Sequence, residues 1–432
     1  MKKEIFKYSL PLLLALNLSA TEIYTVDELI LKAIDNSPDL KVSSSQLEAS
    51  QSRIDMASSS YLPTVDLHLS AGEVSQSDIP TNPDDMVSDT LILGKLSLKQ
   101  IIYDFGKTSS DIDSSTYESR VLQMGLAQDI SDKKKDVKVA YYNVLKAMAL
   151  IKVNRENVKL NEAQLYRSQK YFDAGIRTKI DISDAKVELI KSKLDLKNSE
   201  YDLKIAYTSL DKEIGFREIT NDYSVYSDEL DLKNLYSSLS DYKLNLHDSI
   251  VYAYENKYEL KKQSADIESA KAKELLVDSE YYPSLYFGAD YTKQSVDEFK
   301  NSVPQDSWQA SINLDWNLYR GGLTDASKQE KRVKVELSTS EYQNSKLLVK
   351  KSATEAYINL YKTKDSVELS QTLLKVSNEK FDQASKRYEH GLSDYIELQQ
   401  SRQGYIDSMA TLVVNYYKYY QSVAHLDNAI GK

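Results

Sequence analysis

The spacing of apolar residues changes along the first half of the chain, and the second half repeats those changes. Thr25 to Ser60 has helical spacing, interrupted at Asn36-Ser37-Pro38. Ser37 suits the cap of a new helix and Pro38 its first position. From Leu62 the period drops to two: Val65, Leu67, Leu69 and Ala71 alternate with Asp66, His68 and Ser70. That alternation predicts a strand. Glu73 to Asp89 reads as a polar loop carrying Pro80 and Pro83. In a second alternating run Leu96 and Leu98 interleave with Lys95, Ser97 and Lys99, and the run ends at Ile102-Tyr103-Asp104-Phe105-Gly106.

A helix is then predicted from about Lys107 to Asp173. At ~1.5 Å per residue it would span about 100 Å. Within it Val137, Tyr141, Val144, Met148 and Ile151 step by four and three, which is heptad spacing. Gly175 suits the left-handed residue that ends a helix. The returning helix carries two stripes of period seven. Ile182, Leu189, Leu196, Leu203 and Leu210 form the large one, and Ala185, Ser192, Ser199 and Ala206 the small one. Gly215 closes that helix, and 217–245 reads as a polar, mixed connector.

The second half is a copy of the first. Asn256 to Leu260 matches Asn36 to Leu40, and Tyr281-Tyr282-Pro283 matches Tyr61-Leu62-Pro63, both at an offset of 220. The offset falls to 216 for Ala356-Tyr357-Ile358-Asn359 against Ala140-Tyr141-Tyr142-Asn143. The strands are sharper here. Leu285, Phe287, Ala289 and Tyr291 alternate with polar neighbours, as do Trp308, Ala310, Ile312, Leu314, Trp316 and Leu318. Trp308 and Tyr319 would sit near the two membrane interfaces. Leu398, Tyr405, Leu412, Tyr419 and Leu426 repeat the large stripe; Ser401, Ser408, Asn415, Ser422 and Ala429 repeat the small one. The repeats therefore run 21–216 and 246–432, with strand pairs at 61–103 and 282–319.

Each long helical run folds back at a glycine-centred tip, YFDAGIRTKIDISDA from Tyr171 and RYEHGLSDYIELQQS from Arg387. Gly175 matches Gly391, Phe172 matches Tyr388, and Asp181 matches Glu397. The tips are expected to gate a channel.

Composition narrows the function. There is no cysteine, so disulfides, thiol catalysis and thiolate metal sites are excluded. The four histidines, His68, His247, His390 and His425, lack metal-ligand spacing. No phosphate loop, nucleophile elbow or paired-carboxylate pocket is present, so no enzyme activity and no cofactor are expected. Net charge is −10, against a nucleic-acid partner. The chain has 33 tyrosines against 7 Phe and 2 Trp, which suits thin layers whose hydroxyls stay wet. No proline lies between Pro83 and Pro283 or after Pro304, so both long helices are permitted.

Residues 1–20 read as a secretory signal: Lys2 and Lys3, an apolar segment from Leu10 to Leu18, then Ser19-Ala20. No other stretch has the ~18 apolar residues a spanning helix needs. The strands are near the ~9–11 residues that cross a bilayer at a tilt. A sheet in lipid must close, and four strands are too few to close around a polar interior. The chain must therefore associate, with strands in multiples of four.

This plan resembles the TolC family of outer-membrane efflux proteins over essentially the whole mature chain. The likeness rests on the duplicated strand and helix hairpins, Tyr61-Leu62-Pro63 and its twin, the Tyr103-Asp104-Phe105-Gly106 and Tyr319-Arg320-Gly321-Gly322 strand exits, and the two tips. The resemblance implies a mainly helical homotrimer in the outer membrane. Twelve strands, four from each chain, would form a shared β-barrel, and the long hairpins a periplasmic α-barrel. It further implies a periplasmic adaptor, an inner-membrane pump of RND, ABC or MFS type, and passive efflux or type I secretion. By the same resemblance, the aperture positions are Glu397 and Gln400, with Asp181 and Asp184 in the first hairpin. The tip-gating positions are Tyr388, Arg177 and Ser393, Ser393 standing where the family has a basic residue. The adaptor contacts would be Gly175, Ile176, Gly391 and Leu392. The competing reading is a periplasmic or surface coiled-coil stalk, which explains the heptads but not the strand pairs.

Overall fold

The computed structural model describes residues 22–76, 87–217, 223–227, 235–296 and 305–432. The expected signal at 1–20 and parts of the connector lie outside them. The first repeat comprises β1 (Glu22–Tyr24), α1 (Val26–Asn36), α2 (Pro38–Ser58), β2 (Thr64–Gln76), β3 (Val87–Tyr103), α3 (Lys107–Asp173) and α4 (Lys179–Ile214). The connector contributes β4 (Tyr223–Val225). The second repeat comprises α5 (Leu246–Asn256), α6 (Tyr258–Asp278), β5 (Ser284–Val296), β6 (Gln305–Asp315), α7 (Leu323–Glu389) and α8 (Tyr395–Ile430). The paired helices have equal lengths: α3 and α7 are 67 residues each, α4 and α8 are 36 each. Among the described residues no helix is long and apolar enough to cross a membrane.

The chain divides into two compact units. One takes the chain up to Ser37, Lys133–Asp241 and Leu360–Ala424; the other takes Pro38–Asp132, Tyr242–Asn359 and His425–Lys432.

In the second unit the strands form one antiparallel sheet in the order β2-β3-β5-β6. Register places side chains of one character on one face. Leu67 pairs with Leu96, Leu96 with Tyr291, and Tyr291 with Trp308. One position along, Asp66 pairs with Ser97, Ser97 with Asp290 and Asp290 with Gln309. The first face is an apolar band left in the open: Leu67, Leu69, Ile312 and Trp308 are all exposed. The other face is polar, with Lys95 bridged to Asp290 at 3.2 Å. At the helical end of the sheet, Tyr103 meets Phe105 edge-on at 4.7 Å, and Phe105 stacks on Tyr282 at 5.3 Å. On β5 and β6 aromatic groups thus bound the band at both ends, Trp308 and Tyr291 at one and this cluster at the other, as at two lipid–water interfaces.

Two expectations about strand extent need correction. The segment 73–89 is not all loop: β2 continues to Gln76 and β3 begins at Val87, with Glu73 paired to Thr90 and Gln76 to Val87. Ladder bonds join backbones, so polar side chains do not stop them. The second strand pair does not reach 319. β6 ends at Asp315, and the indole of Trp316 donates to the carbonyl of Tyr281 at 3.0 Å. Tyr319 lies beyond the strand and is fully exposed. The chain then turns at Gly321 and Gly322, both at positive φ.

In the first unit, α1 opens with a capping box between Thr25 and Glu28. β1 and β4 form a short parallel pair, Glu22 with Tyr223 through Tyr24 with Val225. Sequence periodicity did not indicate this pair, because three residues hold too few alternations. Tyrosine hydroxyls pin the connector: Tyr141 to the carbonyl of Tyr226 at 2.6 Å, Tyr223 to Asp211 at 2.7 Å, and Tyr419 to the carbonyl of Ser240 at 2.5 Å. Gly215 ends α4 at φ 70, where a β-carbon would stand 2.7 Å from the carbonyl oxygen of Asn36. In the second unit a β-carbon on Gly431, its repeat mate, would stand 3.0 Å from the backbone of Asn256.

Candidate functional site: the paired hairpin tips

The two tips lie in the first unit and are built alike. At the end of α3 the N–H of Gly175 bonds the carbonyl of Phe172 at 2.9 Å, and that of Ile176 reaches Tyr171 at 2.8 Å. At the end of α7 Gly391 bonds Tyr388 at 3.1 Å and Leu392 bonds Arg387 at 2.8 Å. These bond pairs are Schellman motifs, and both glycines take the left-handed conformation they require, with φ 72 and 73. The motif satisfies the last helical carbonyls and leaves Ile176 and Leu392 exposed at the turn.

The return helices start differently. Asp394 accepts from the N–H of Glu397 at 2.8 Å and caps α8. Thr178, its repeat mate, makes no side-chain cap on α4. Sequence reasoning did not single out this cap; Asp394-x-x-Glu397 is the spacing that could have marked it.

Behind the turns the two hairpins share a small core of Ala185, Tyr388, Tyr395 and Leu398, flanked by Leu165, Tyr171 and Phe381. Tyr388 is 1% exposed. Its ring lies 6.1 Å from that of Tyr171 and 6.4 Å from that of Tyr395. Burial raises the Tyr388 pKa, opposed in part by Ser168 and the Arg177 charge. Asp181 is close enough to act on Tyr388 in the raising direction. Burial also raises Tyr395, with Arg402 opposing and the charges of Glu188 and Asp184 assisting.

Of the residues expected to gate the tips, three come together. The Arg177 guanidinium lies 4.8 Å above the Tyr388 ring and donates to the carbonyl of Ser393 at 2.9 Å. Ser393, which stands where the resemblance implies a basic group, thus contributes a backbone oxygen. The first hairpin supplies the cation and the second the acceptors. A second arginine acts similarly: Arg167 reaches Glu389 at 2.9 Å and the Ser385 hydroxyl at 3.4 Å. Sequence reasoning missed Arg167, because its partner is more than two hundred residues away.

The expected aperture residues take different neighbours within the chain. Asp181 lies beside Tyr388, and Asp184 is exposed on α4 within range of Tyr395. Glu397 faces Arg387 at 3.6 Å, and Gln400 is exposed further along α8. Arg402 is 4% exposed beside Tyr395, a buried cation the sequence did not mark. Among the described residues no group of His, Asp or Glu is arranged to hold a metal.

Solved structures share this architecture at low identity, which speaks to the fold alone. CusC superimposes with a TM-score of 0.83 at 14% identity, covering 95% of this chain and 93% of that one. The Campylobacter jejuni CmeC outer membrane channel gives 0.80 at 14%, covering 94% and 85%. The Vibrio cholerae outer membrane protein VceC gives 0.79 at 14%, covering 94% and 96%. A search of curated proteins found no significant match. The sequence itself matches the outer membrane efflux protein family over residues 29–215 and 250–432, that is, over both repeats and all four tip helices, and the chain belongs to that family.

Proposed function

We propose that this chain is one of three identical protomers of an outer-membrane exit duct, and that its hairpin tips close and open the periplasmic end. Membership of the outer membrane efflux family makes it a passive channel rather than an enzyme or a coiled-coil stalk. In that setting it works with a periplasmic adaptor and an inner-membrane pump. The pump is of RND, ABC or MFS type, and the cargo is whatever that pump selects.

The observation that carries the reading is the open four-stranded sheet. It has an apolar face bounded by aromatic residues, and among the described residues nothing pairs with the outer edges of β2 and β6. Unpaired edges in lipid cost several kcal/mol per backbone group. Further copies would satisfy them, and three would give a twelve-stranded barrel. The halves 21–216 and 246–432 then each contribute one strand pair and one hairpin, joined by the connector 217–245.

At the tips, Arg177, Tyr388 and Ser393 hold the hairpins together. Asp181, Asp184, Glu397 and Gln400 line the aperture, and the exposed turns at Gly175, Ile176, Gly391 and Leu392 meet the adaptor. The test is the mass of the detergent-solubilised particle by light scattering, together with planar-bilayer recording. A trimer giving discrete conductance steps is expected. A monomer that never conducts, even with Arg177 and Tyr388 replaced, would overturn the reading.

A further inference from the structure

We propose that Arg387 sets the charge selectivity of the aperture by neutralising Glu397; the inference rests on the reading that Glu397 lines the aperture. Both partners are held by local structure. The carbonyl of Arg387 takes the 2.8 Å bond that closes the Schellman turn, and its guanidinium donates to the carbonyl of Leu392 at 3.4 Å. Glu397 sits in the first turn of α8, its N–H fixed by Asp394. The turn between them brings the charged groups to 3.6 Å.

Both side chains are about half exposed, so as a bond the pair is weak. Its effect on permeating ions does not depend on bond strength. Opposite charges this close act on an ion at pore distance as a dipole rather than as a carboxylate, and the field falls off accordingly. Gln400, one turn further on, adds no charge. The first hairpin has no equivalent: Tyr171 occupies the place of Arg387 in the repeat, and Asp181 that of Glu397. With three copies, the Arg387–Glu397 pairs sum to about zero net charge.

The test is the reversal potential of single channels of the full-length protein in a KCl gradient. Salt is kept near 0.1 M, where the Debye length is about 10 Å. Only inserted, conducting channels are scored, so misfolded material does not enter. Arg387→Gln should raise the potassium-to-chloride permeability ratio severalfold, Glu397→Gln should lower it, and the double variant should return to the starting value. Arg387→Lys should leave it unchanged, because charge rather than shape is at issue. If Glu397→Gln shifts selectivity but Arg387→Gln does not, the neutralisation is overturned while the aperture reading stands. If Glu397→Gln changes nothing in either background, the aperture reading falls and this inference with it.

Discussion

Arg177 of the first hairpin and Ser393 of the second are joined by a 2.9 Å hydrogen bond from guanidinium to backbone carbonyl, so substituting Ser393 does not remove the acceptor. The same guanidinium lies over the buried ring of Tyr388. A charge-assisted bond and a partly desolvated cation–π contact together contribute about 2 kcal/mol. Arg177→Ala should therefore shift the open-to-closed equilibrium in bilayers roughly thirtyfold toward open for each protomer. Ser393→Ala should leave it almost unchanged.

Arg167 and Glu389 make a second link between the hairpins near the tips, but both are partly exposed. Such pairs contribute about 0–1 kcal/mol and are screened by salt. Arg167→Gln should have a smaller effect than Arg177→Ala, and one that disappears as KCl is raised toward 1 M. Conductance recorded across that salt range distinguishes the two arginines.

Gly215 and Gly404 respond oppositely to alanine. At Gly215 the added carbon meets the carbonyl of Asn36 at 2.7 Å, at a φ of +70. Gly404 lies inside α8 with nothing within 4 Å. Gly215→Ala should lower stability by about 2 kcal/mol through αL strain and the clash. Gly404→Ala should raise it by about 0.5–1 kcal/mol through helix propensity. Thermal melting of the solubilised protein reads both.

Leu67 and His68 are neighbours on opposite faces of β2. Arginine at Leu67 would lie in the lipid-facing band, where the cost rises from about 0–1 kcal/mol near an interface to about 2–4 kcal/mol at the bilayer midplane. Arginine at His68 would lie on the polar face. The amount of protein recovered in outer membranes should fall for Leu67→Arg and hold for His68→Arg.

Glu213 bonds Lys133 at 3.0 Å, with both side chains largely buried. Burial alone would raise the Glu213 pKa; the hydrogen bonds from Lys212 and Lys133 outweigh it, and the net shift is downward from 4.5. A folded-state pKa below the unfolded value contributes stability that is present above pH 4.5. That contribution is lost as pH falls through the folded-state value. Glu213→Gln should remove this part of the acid sensitivity, measurable as melting temperature against pH between 3 and 6.

The periodic parts of this protein were legible in the sequence, because periodicity is local. Strand alternation at Val65–Ala71 and Trp308–Leu314 marked the two faces of the sheet, and the heptads of α4 and α8 marked their buried seams. Gly175 and Gly391 marked the turns, since a left-handed residue there favours glycine wherever the rest of the chain lies. Duplication added a check on each element, as α3 and α7 match residue for residue in length.

Other features depended on residues far apart in the chain. β1 and β4 pair across about two hundred residues with only three residues each. The ends of β2, β3 and β6 are set by how far neighbouring backbones continue to pair, which side-chain polarity does not report. At the tips, the types of residue were visible but not their partners. Arg167, Arg177 and Arg387 look alike in a sequence, and only packing made the first two bridge the hairpins and turned the third back on Glu397. Local spacing determined the helices, turns and strand faces; tertiary structure decided which charges meet, because that depends on how separate helices are brought side by side.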